Sequence, residues 1–572
     1  VELVLSCPGD ESGQWTLADY EAGRAKLNEV ERPMGQNDVG MVAWLVTLRT
    51  PEYTEGRKMV LISNDITNVM GSFGTREDAV FQAASQLARG LGIPRIYLAA
   101  NSGARIGLAK TIRDAYEIAW VNEDDPKAGF KYLYLSPANF KKFEKSVKAE
   151  LIFENDEERY KITDIIGEEA DLGVENLRGS GMIAGETSRA YDEIFTLTLV
   201  TGRTVGIGAY LVRLGQRCIQ RVSQSPIILT GYEALNKLMG KDLYTSNDQL
   251  GGGHMIMAPN GVTHLLVTDH MEGVNAIMNW LSYVPSVRHC PLPILDITGI
   301  DMVERAVQWC PTKGTPYDSR LLLTGDNSGK DGQWISGFCD CGSFTETMAS
   351  WAKTVVVGRA RLGGIPMGVI VTENRTVECA APADPGDLTS AERKISQAGG
   401  VWYPDSAYKT AQAIRDFNSE DLPIMILANW RGFSGGQRDM FEEVLKFGAM
   451  IVDALVATTQ PIFVYIPPFA ELRGGAWVVV DSTINAAVME FFAAETARGG
   501  VLEPNAIANI KYKKKDLLAT AHRVDSKLVA LDQQLASASE DARKEILAAI
   551  AQREKDLLPM FSQLAVHFAD LH

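Results

Sequence analysis

What this sequence lacks narrows it first. No apolar run approaches the roughly eighteen residues that cross a bilayer as a helix, so membrane insertion is not expected. No basic excess exists: 56 Lys and Arg face 72 Asp and Glu, a net charge of −16. That balance excludes a broad nucleic-acid-binding face, and any polyanionic ligand must be met by local basic groups. The cysteines, at 7, 218, 290, 310, 339, 341 and 379, are odd in number and scattered, without CxxC spacing. They indicate a reducing compartment and neither a disulfide framework nor a zinc ribbon, and no metal is expected. Cys339-Asp340-Cys341 is read as a solvated turn between Gly337 and Gly342. HExxH and GxxxxGK[ST] are absent, and GDNSGKDG fails the last spacing. The opening VELVLSCPGD has no basic stretch followed by a long apolar one, so it is not a signal peptide, and the chain reads as a piece of something longer.

What is present is a repeat. A length of 572 residues exceeds one ordinary core, and 46% apolar with 22% charged residues is a globular composition. The first copy runs from GRKMVLISNDIT (56–67) through the helical EDAVFQAASQLARGLG into IPRIYLAANSGARIG (93–107). The second runs from GGIPMGVIVTENRT (363–376) through SAYKTAQAIRDF into LPIMILANWRGFSGG (422–436). Pro94 and Pro423, Leu98 and Leu427, Ala99 and Ala428, and Gly103 and Gly432 fall in register. In each, a short apolar run follows an amphipathic helix and ends in small residues, the βαβ pattern of a parallel sheet. The chain is therefore α/β, with two similar domains. Each copy is expected to continue with a long helical stretch and a further buried strand, IFTLTLVTGRTVGIGAYLVRLGQRCI with PIILTG and GAMIVDALVATTQ with PIFVYIPP. Residues 296–345 read as linker and surface loops, placing the boundary near 300. From about 513, Leu528, Leu531 and Leu535 share one face and SASED marks a new N-cap, so the tail is read as a helical hairpin on the second domain.

The candidate chemistry lies in glycine-rich turns: NSGARIG, RGSGMIAG (178–185), TVGIGAY (204–210), WRGFSGGQR (430–438) and ELRGGAW (471–477). Such turns can aim backbone N–H groups at an oxyanion. All seven histidines (254, 264, 270, 289, 522, 567 and 572) lie outside these turns, which leaves no histidine base in them. Arg431 and Arg203 sit within or beside the turns, and a guanidinium can hold a carboxylate bidentately without losing its proton.

Taken together, PEYTEGRKMVLISNDIT, GIPRIYLAANSGARIG, GSGMIAGETSRAY, TVGIGAYLVRLGQRCIQ, ILANWRGFSGGQRDMFEEVLKFGAMIVDAL, IPPFAELRGGAWVVVDSTIN and GVLEP resemble the carboxyltransferase region of eukaryotic multidomain acetyl-CoA carboxylases, over nearly the whole chain. The resemblance implies two crotonase-like (ββα-superhelix) domains in tandem with a C-terminal helical extension: residues 1–300 on the CoA side and 301–572 on the biotin side. It implies a homodimer with the active site at the interface, and transfer of a carboxyl group from carboxybiotin to acetyl-CoA, giving malonyl-CoA for fatty acid synthesis. The biotinylated carrier and biotin carboxylase would be other parts of the parent chain, in the cytoplasm or a plastid. By position in the shared motifs, the N–H groups of Ala104 and Ile207 would form an oxyanion hole for the thioester, and those of Gly435 and Glu503 would hold the biotin ureido group. Arg431 would contact the transferred carboxylate, and Arg203 would help hold CoA or that carboxylate. Met182, Gly206, Tyr210, Phe433, Val444, Gly448 and Val478 would line the pocket where herbicide-like inhibitors of this family bind. In such chemistry the protein orients reactants and stabilises enolate-like oxygens, which agrees with the missing base. The competing readings are a propionyl- or acyl-CoA carboxyltransferase, a crotonase-like hydratase, and a dimerisation scaffold that has lost its chemistry.

Overall fold

The computed structural model describes residues 1–8 and 15–572. Its first sheet has eight strands, in the hydrogen-bonded order 265–267, 218–221, 196–200, 95–99, 53–64, 41–50, 2–6 and 26–30. Its second has six, in the order 345–347, 355–362, 365–372, 424–427, 462–466 and 489–493. Both halves use one plan. An antiparallel hairpin (Met41–Thr50 with Tyr53–Asn64; Val355–Leu362 with Ile365–Thr372) supplies a strand onto which more add in parallel, four in the first half and three in the second. The strands at the centre are buried at every position, as in Ile424–Leu427 and Thr196–Val200, because helices cover both faces.

The repeat is thus present, with one change of pairing. PIFVYIPP forms Ile462–Ile466, whose counterpart is Thr196–Val200 within IFTLTLVTG, since each adds beside the strand that ends in the first glycine-rich turn. The expected long helical stretch from IFTLTLVTG is therefore strand, turn and the short helix Ile207–Leu214. PIILTG contributes only the two-residue strand Ile227–Ile228. β-Branched residues in alternation with Leu favour the strand here.

Two other expectations are corrected. RGSGMIAG is no turn: it lies inside the helix Val174–Glu193. Its glycine serves helix packing, because a Cβ on Gly179 would run into the Asp78 carboxylate of the neighbouring helix Thr75–Leu91. Burial, together with Glu77 and Asp171, pushes Asp78 up to about 8, so the carboxyl is neutral at pH 7 where the helices touch. Gly179→Ala is expected to destabilise the protein by about 1–3 kcal/mol through overpacking, seen as a lower midpoint in chemical denaturation. The Cys339-Asp340-Cys341 segment is not solvated either. Cys339 and Asp340 are buried, and the Asp340 carboxylate accepts from Gly363 N and Gly364 N at 2.7 Å each, pinning the hairpin turn of the second sheet. Cys341 is exposed. The stretch before it is mostly irregular, but Leu322, Leu323 and Cys339 pack with Val356, Ala360 and Val369 on the second sheet rather than bridging two bodies as a free linker.

The two halves are joined by a buried ionic cluster. Glu420, at the end of the helix Pro404–Ser419, receives Arg217 Nε at 2.5 Å from the first half and Arg359 Nε and Nη2 at 2.8 and 2.6 Å from the second sheet. All three side chains are fully buried or nearly so. Tyr191 Oη donates to Asp416 Oδ1 at 2.7 Å across the same boundary. At the C-terminus, the break at SASED is confirmed: one helix ends at Ser537 and the next, Glu540–Leu571, starts after Ser539. The latter packs on Pro504–Lys511, Lys514–Val524 and Ser526–Ser537 through Leu528, Ile550, Leu557 and Phe561. No helix among the described residues is long and apolar enough to cross a membrane.

Candidate active site

Each half brings two of its turns together at the carboxyl ends of the parallel strands, where ligands bind in open α/β sheets. In the first half, NSGARIG leaves the strand Arg95–Ala99 and TVGIGAY follows Thr196–Val200, the next strand over. A Cβ on Gly103 would stand 3.2 Å from the Val205 carbonyl oxygen. Phe73 bonds to the turn from the outside, donating to Gly103 O at 2.9 Å and accepting from Arg105 N at 2.7 Å. That alternation turns the Ala104 N–H to the opposite side. Gly206 has φ 55, a conformation favourable only for glycine, and it launches the helix Ile207–Leu214. The Ile207 N–H is one of the orphan donors of that helix start. Among the described residues, neither the Ala104 nor the Ile207 N–H has a hydrogen-bond partner.

The second half repeats this geometry. Gly432–Phe433 pairs with Val401–Trp402 as Ala104 bridges to Phe73, so Phe433 occupies the place of Ala104. Gly474, with φ 51, matches Gly206, and Gly475 then matches Ile207. A Cβ on Gly475 would lie 3.7 Å from Phe433 Cδ2, so these turns also meet. Sequence reading missed Gly475 as a second donor. The signal was present as the shared strand–Gly–helix order of TVGIG and LRGGA.

The sequence-derived residues fall into two groups. Ala104, Ile207 and Gly206 form the first, with Arg203 and Tyr210 exposed beside them. Met182 lies on the helix Val174–Glu193, which packs on the helix Ile207–Leu214. Arg431, Phe433, Gly435, Gly448 and Glu503 form the second. Gly448 faces Phe433, where a Cβ would lie 2.9 Å from Cε1. Val444 is buried at the start of the helix Val444–Ala457, and exposed Val478 lines a cavity of about 760 Å³ with Gly475, Trp477 and Leu502. No hydrogen bond or ion pair among the described residues joins the two groups.

Arg431 is held without being neutralised. Its Nη2 donates to Gly399 O at 3.0 Å, while Glu471 and Glu503 approach only to 3.9 Å. The side chain is 43% exposed. A cation this loosely paired can accept an anionic ligand with little to displace. The Gly435 and Glu503 N–H groups likewise have no partner among the described residues, and nothing stands within 4 Å of where a Gly435 Cβ would be. No group of three or more His, Cys, Asp or Glu among the described residues could hold a metal ion.

Against known proteins, the family described as "Carboxyl transferase domain" matches residues 51–572. The chain belongs to the carboxyl transferase domain family. Among its relatives, an acetyl-CoA carboxylase of Dictyostelium discoideum is 54% identical over 561 residues, 96% of this chain and 24% of that protein. The acetyl-CoA carboxylase of Saccharomyces cerevisiae is 54% identical over 96% of this chain and 25% of its own length. Acetyl-CoA carboxylase 1 of Arabidopsis thaliana is 52% identical over 100% and 25%. This carboxyl transferase domain therefore spans about a quarter of the relatives it matches, and aligns with the carboxyltransferase region of acetyl-CoA carboxylases. A solved structure of transcarboxylase 12S, described as a hexamer with methylmalonyl-coenzyme A bound, superposes with a TM-score of 0.57, covering 84% of this chain and 74% of its own at 17% identity. That likeness shows the shared α/β fold.

Proposed function

We propose that this domain carries the second half-reaction of an acetyl-CoA carboxylase, carboxyl transfer from carboxybiotin to acetyl-CoA to give malonyl-CoA. The observation that carries the reading is the pair of turn junctions, each presenting two amides at the carboxyl edge of its sheet, with Arg431 loosely paired beside one of them. Ala104 N–H and Ile207 N–H bind the thioester oxygen and stabilise the negative charge that grows on it in the transition state. Gly435 N–H and Glu503 N–H hold the biotin ureido oxygen, and the open space at Gly435 fits a ligand there. The Phe433 and Gly475 amides, matched to Ala104 and Ile207, add a second oxyanion site. Arg431 orients the carboxylate, and Arg203 holds CoA or that carboxylate. Bound there, carboxybiotin supplies the activated carboxyl group, and no metal is required by the residues named.

The architecture that suits this reading is two crotonase-like domains in tandem, 1–300 on the CoA side and 301–572, with its helical tail from about 513, on the biotin side. In this reading the protein is a homodimer in which the first group of one subunit faces the second group of its partner. Met182, Gly206, Tyr210, Phe433, Val444, Gly448 and Val478 line the pocket between them. The biotinylated carrier and biotin carboxylase belong to the parent chain, and the compartment is cytoplasmic or plastid.

The test is the reverse reaction: the protein with malonyl-CoA and free biotin, following acetyl-CoA. Biotin-dependent release is the expected result. No release from a folded, dimeric protein would overturn the proposal in favour of a scaffold. Faster reaction with methylmalonyl-CoA would point instead to a propionyl-type enzyme.

A further inference from the structure

Between the two turns of the first half lies a buried amide that no part of the reading so far uses. Asn101 is 3% exposed. Its Oδ1 accepts from Val205 N at 3.1 Å in one turn and from Gly103 N at 3.3 Å in the other, and its own backbone N donates to Arg203 O at 2.8 Å. The amide fills the space where Gly208 would carry a Cβ, so the helix Ile207–Leu214 starts against it. Behind it, Asn101 Nδ2 lies 3.4 Å from Tyr97 Oη, which donates to Asn64 Oδ1 at 2.6 Å. Burial pushes the Tyr97 phenol up, so it stays a donor and fixes which way the chain of amides points. Asn64 Nδ2 closes the set on Gly71 O at 3.2 Å.

The second half solves the same problem differently. Trp430 stands at the position matching Asn101, stacked on Trp402 with ring centroids 4.0 Å apart, and its carbonyl accepts from Arg473 N at 3.0 Å. There the turns are set by an aromatic stack, a main-chain bond and Asn429 Oδ1, which accepts from Glu471 N at 3.0 Å without bonding the first turn's amides. In the first half one side chain spans both.

We infer that Asn101 is the positioning residue of the first oxyanion site: it holds the turn carrying Ala104 N–H and the turn carrying Ile207 N–H at a fixed separation. This rests on the carboxyltransferase reading for its catalytic consequence, and on the geometry alone for the tie between the turns. A shift of about 1 Å in such donors can cost on the order of a hundredfold in rate, and the loss falls on kcat because the amides act mainly on charge developed in the transition state.

The experiment compares Asn101→Ala with Asn101→Asp and with Asn236→Ala. Asn101→Asp keeps an oxygen for both N–H groups. Asn236 is a buried amide of the same kind, which bonds Leu243 N, Tyr244 N and Tyr244 O outside these turns. Amide hydrogen exchange tests the tie: Asn101→Ala should speed exchange in both residues 102–106 and 203–207, and Asn236→Ala in neither. Biotin-dependent malonyl-CoA decarboxylation tests the consequence: Asn101→Ala should lower kcat about a hundredfold with KM changed little, Asn101→Asp should recover at least about tenfold of that loss, and Asn236→Ala should match the wild type. Should Asn101→Ala not fold, Asn101→Ser, too short to reach both turns, should give the same pattern. Unchanged exchange in either turn overturns the tie, and wild-type kcat in a folded Asn101→Ala protein overturns its role. An inactive wild type with the expected exchange pattern would sink the carboxyltransferase reading and leave the tie standing.

Discussion

Arg431→Ala is expected to lower turnover of malonyl-CoA with biotin by about a hundredfold or more, while leaving thermal stability nearly unchanged. The stability half of this follows from its surroundings. The side chain is 43% exposed, gives one hydrogen bond to Gly399 O, and has its two carboxylates at 3.9 Å, so little is lost when it goes. The rate half follows from its chemistry: a cation beside the proposed oxyanion site compensates charge that water would otherwise have to solvate. Arg431→Lys keeps the charge without the planar fork and should fall between. Steady-state kinetics with a melting curve on each variant decides the matter. Near-wild-type turnover in a folded Arg431→Ala protein would remove Arg431 from the site.

Glu420→Gln should produce the largest loss of stability, about 3–5 kcal/mol. Burial works against the Glu420 carboxylate, yet Arg359 and Arg217 hold it below the ordinary carboxylate range. The amide cannot compensate two guanidiniums, so both would be left buried and charged with only the Asp416 carboxylate nearby. Because Arg217 belongs to the first half and Arg359 to the second, the damage should appear as the halves uncoupling, with an earlier and broader unfolding transition in urea. Replacing Arg217, Arg359 and Glu420 together by Met should restore much of the loss, because the cost of desolvating the ions disappears with them. A Glu420→Gln protein as stable as the wild type would show that the cluster does not join the halves.

The sequence by itself determined the repeat, the strands Tyr53–Asn64, Arg95–Ala99, Ile365–Thr372, Ile424–Leu427 and Ile462–Ile466 within it, and four of the five glycine-rich turns, but not the strand Thr196–Val200. Those features are local: apolar periodicity and glycine chemistry act over a few residues, so IPRIYLAANSGARIG and LPIMILANWRGFSGG could be matched without knowing what lies beside them. The fifth shows the limit, since the glycines of RGSGMIAG signal equally a turn or a close helix contact, and only the approach of Asp78 distinguishes them. Tertiary structure alone decided the rest. Asn101 meets Val205 across 104 positions and Arg217 meets Glu420 across 203, and nothing in the local pattern of either partner specifies the other. Cys339 and Asp340 look like loop residues because their neighbours are glycines, and they are buried because the Gly363–Gly364 turn offers two N–H groups that need an acceptor. Where a backbone donor ends up unpaired, as at Ala104 and Ile207, depends on which strands lie side by side, and that is a property of the folded chain.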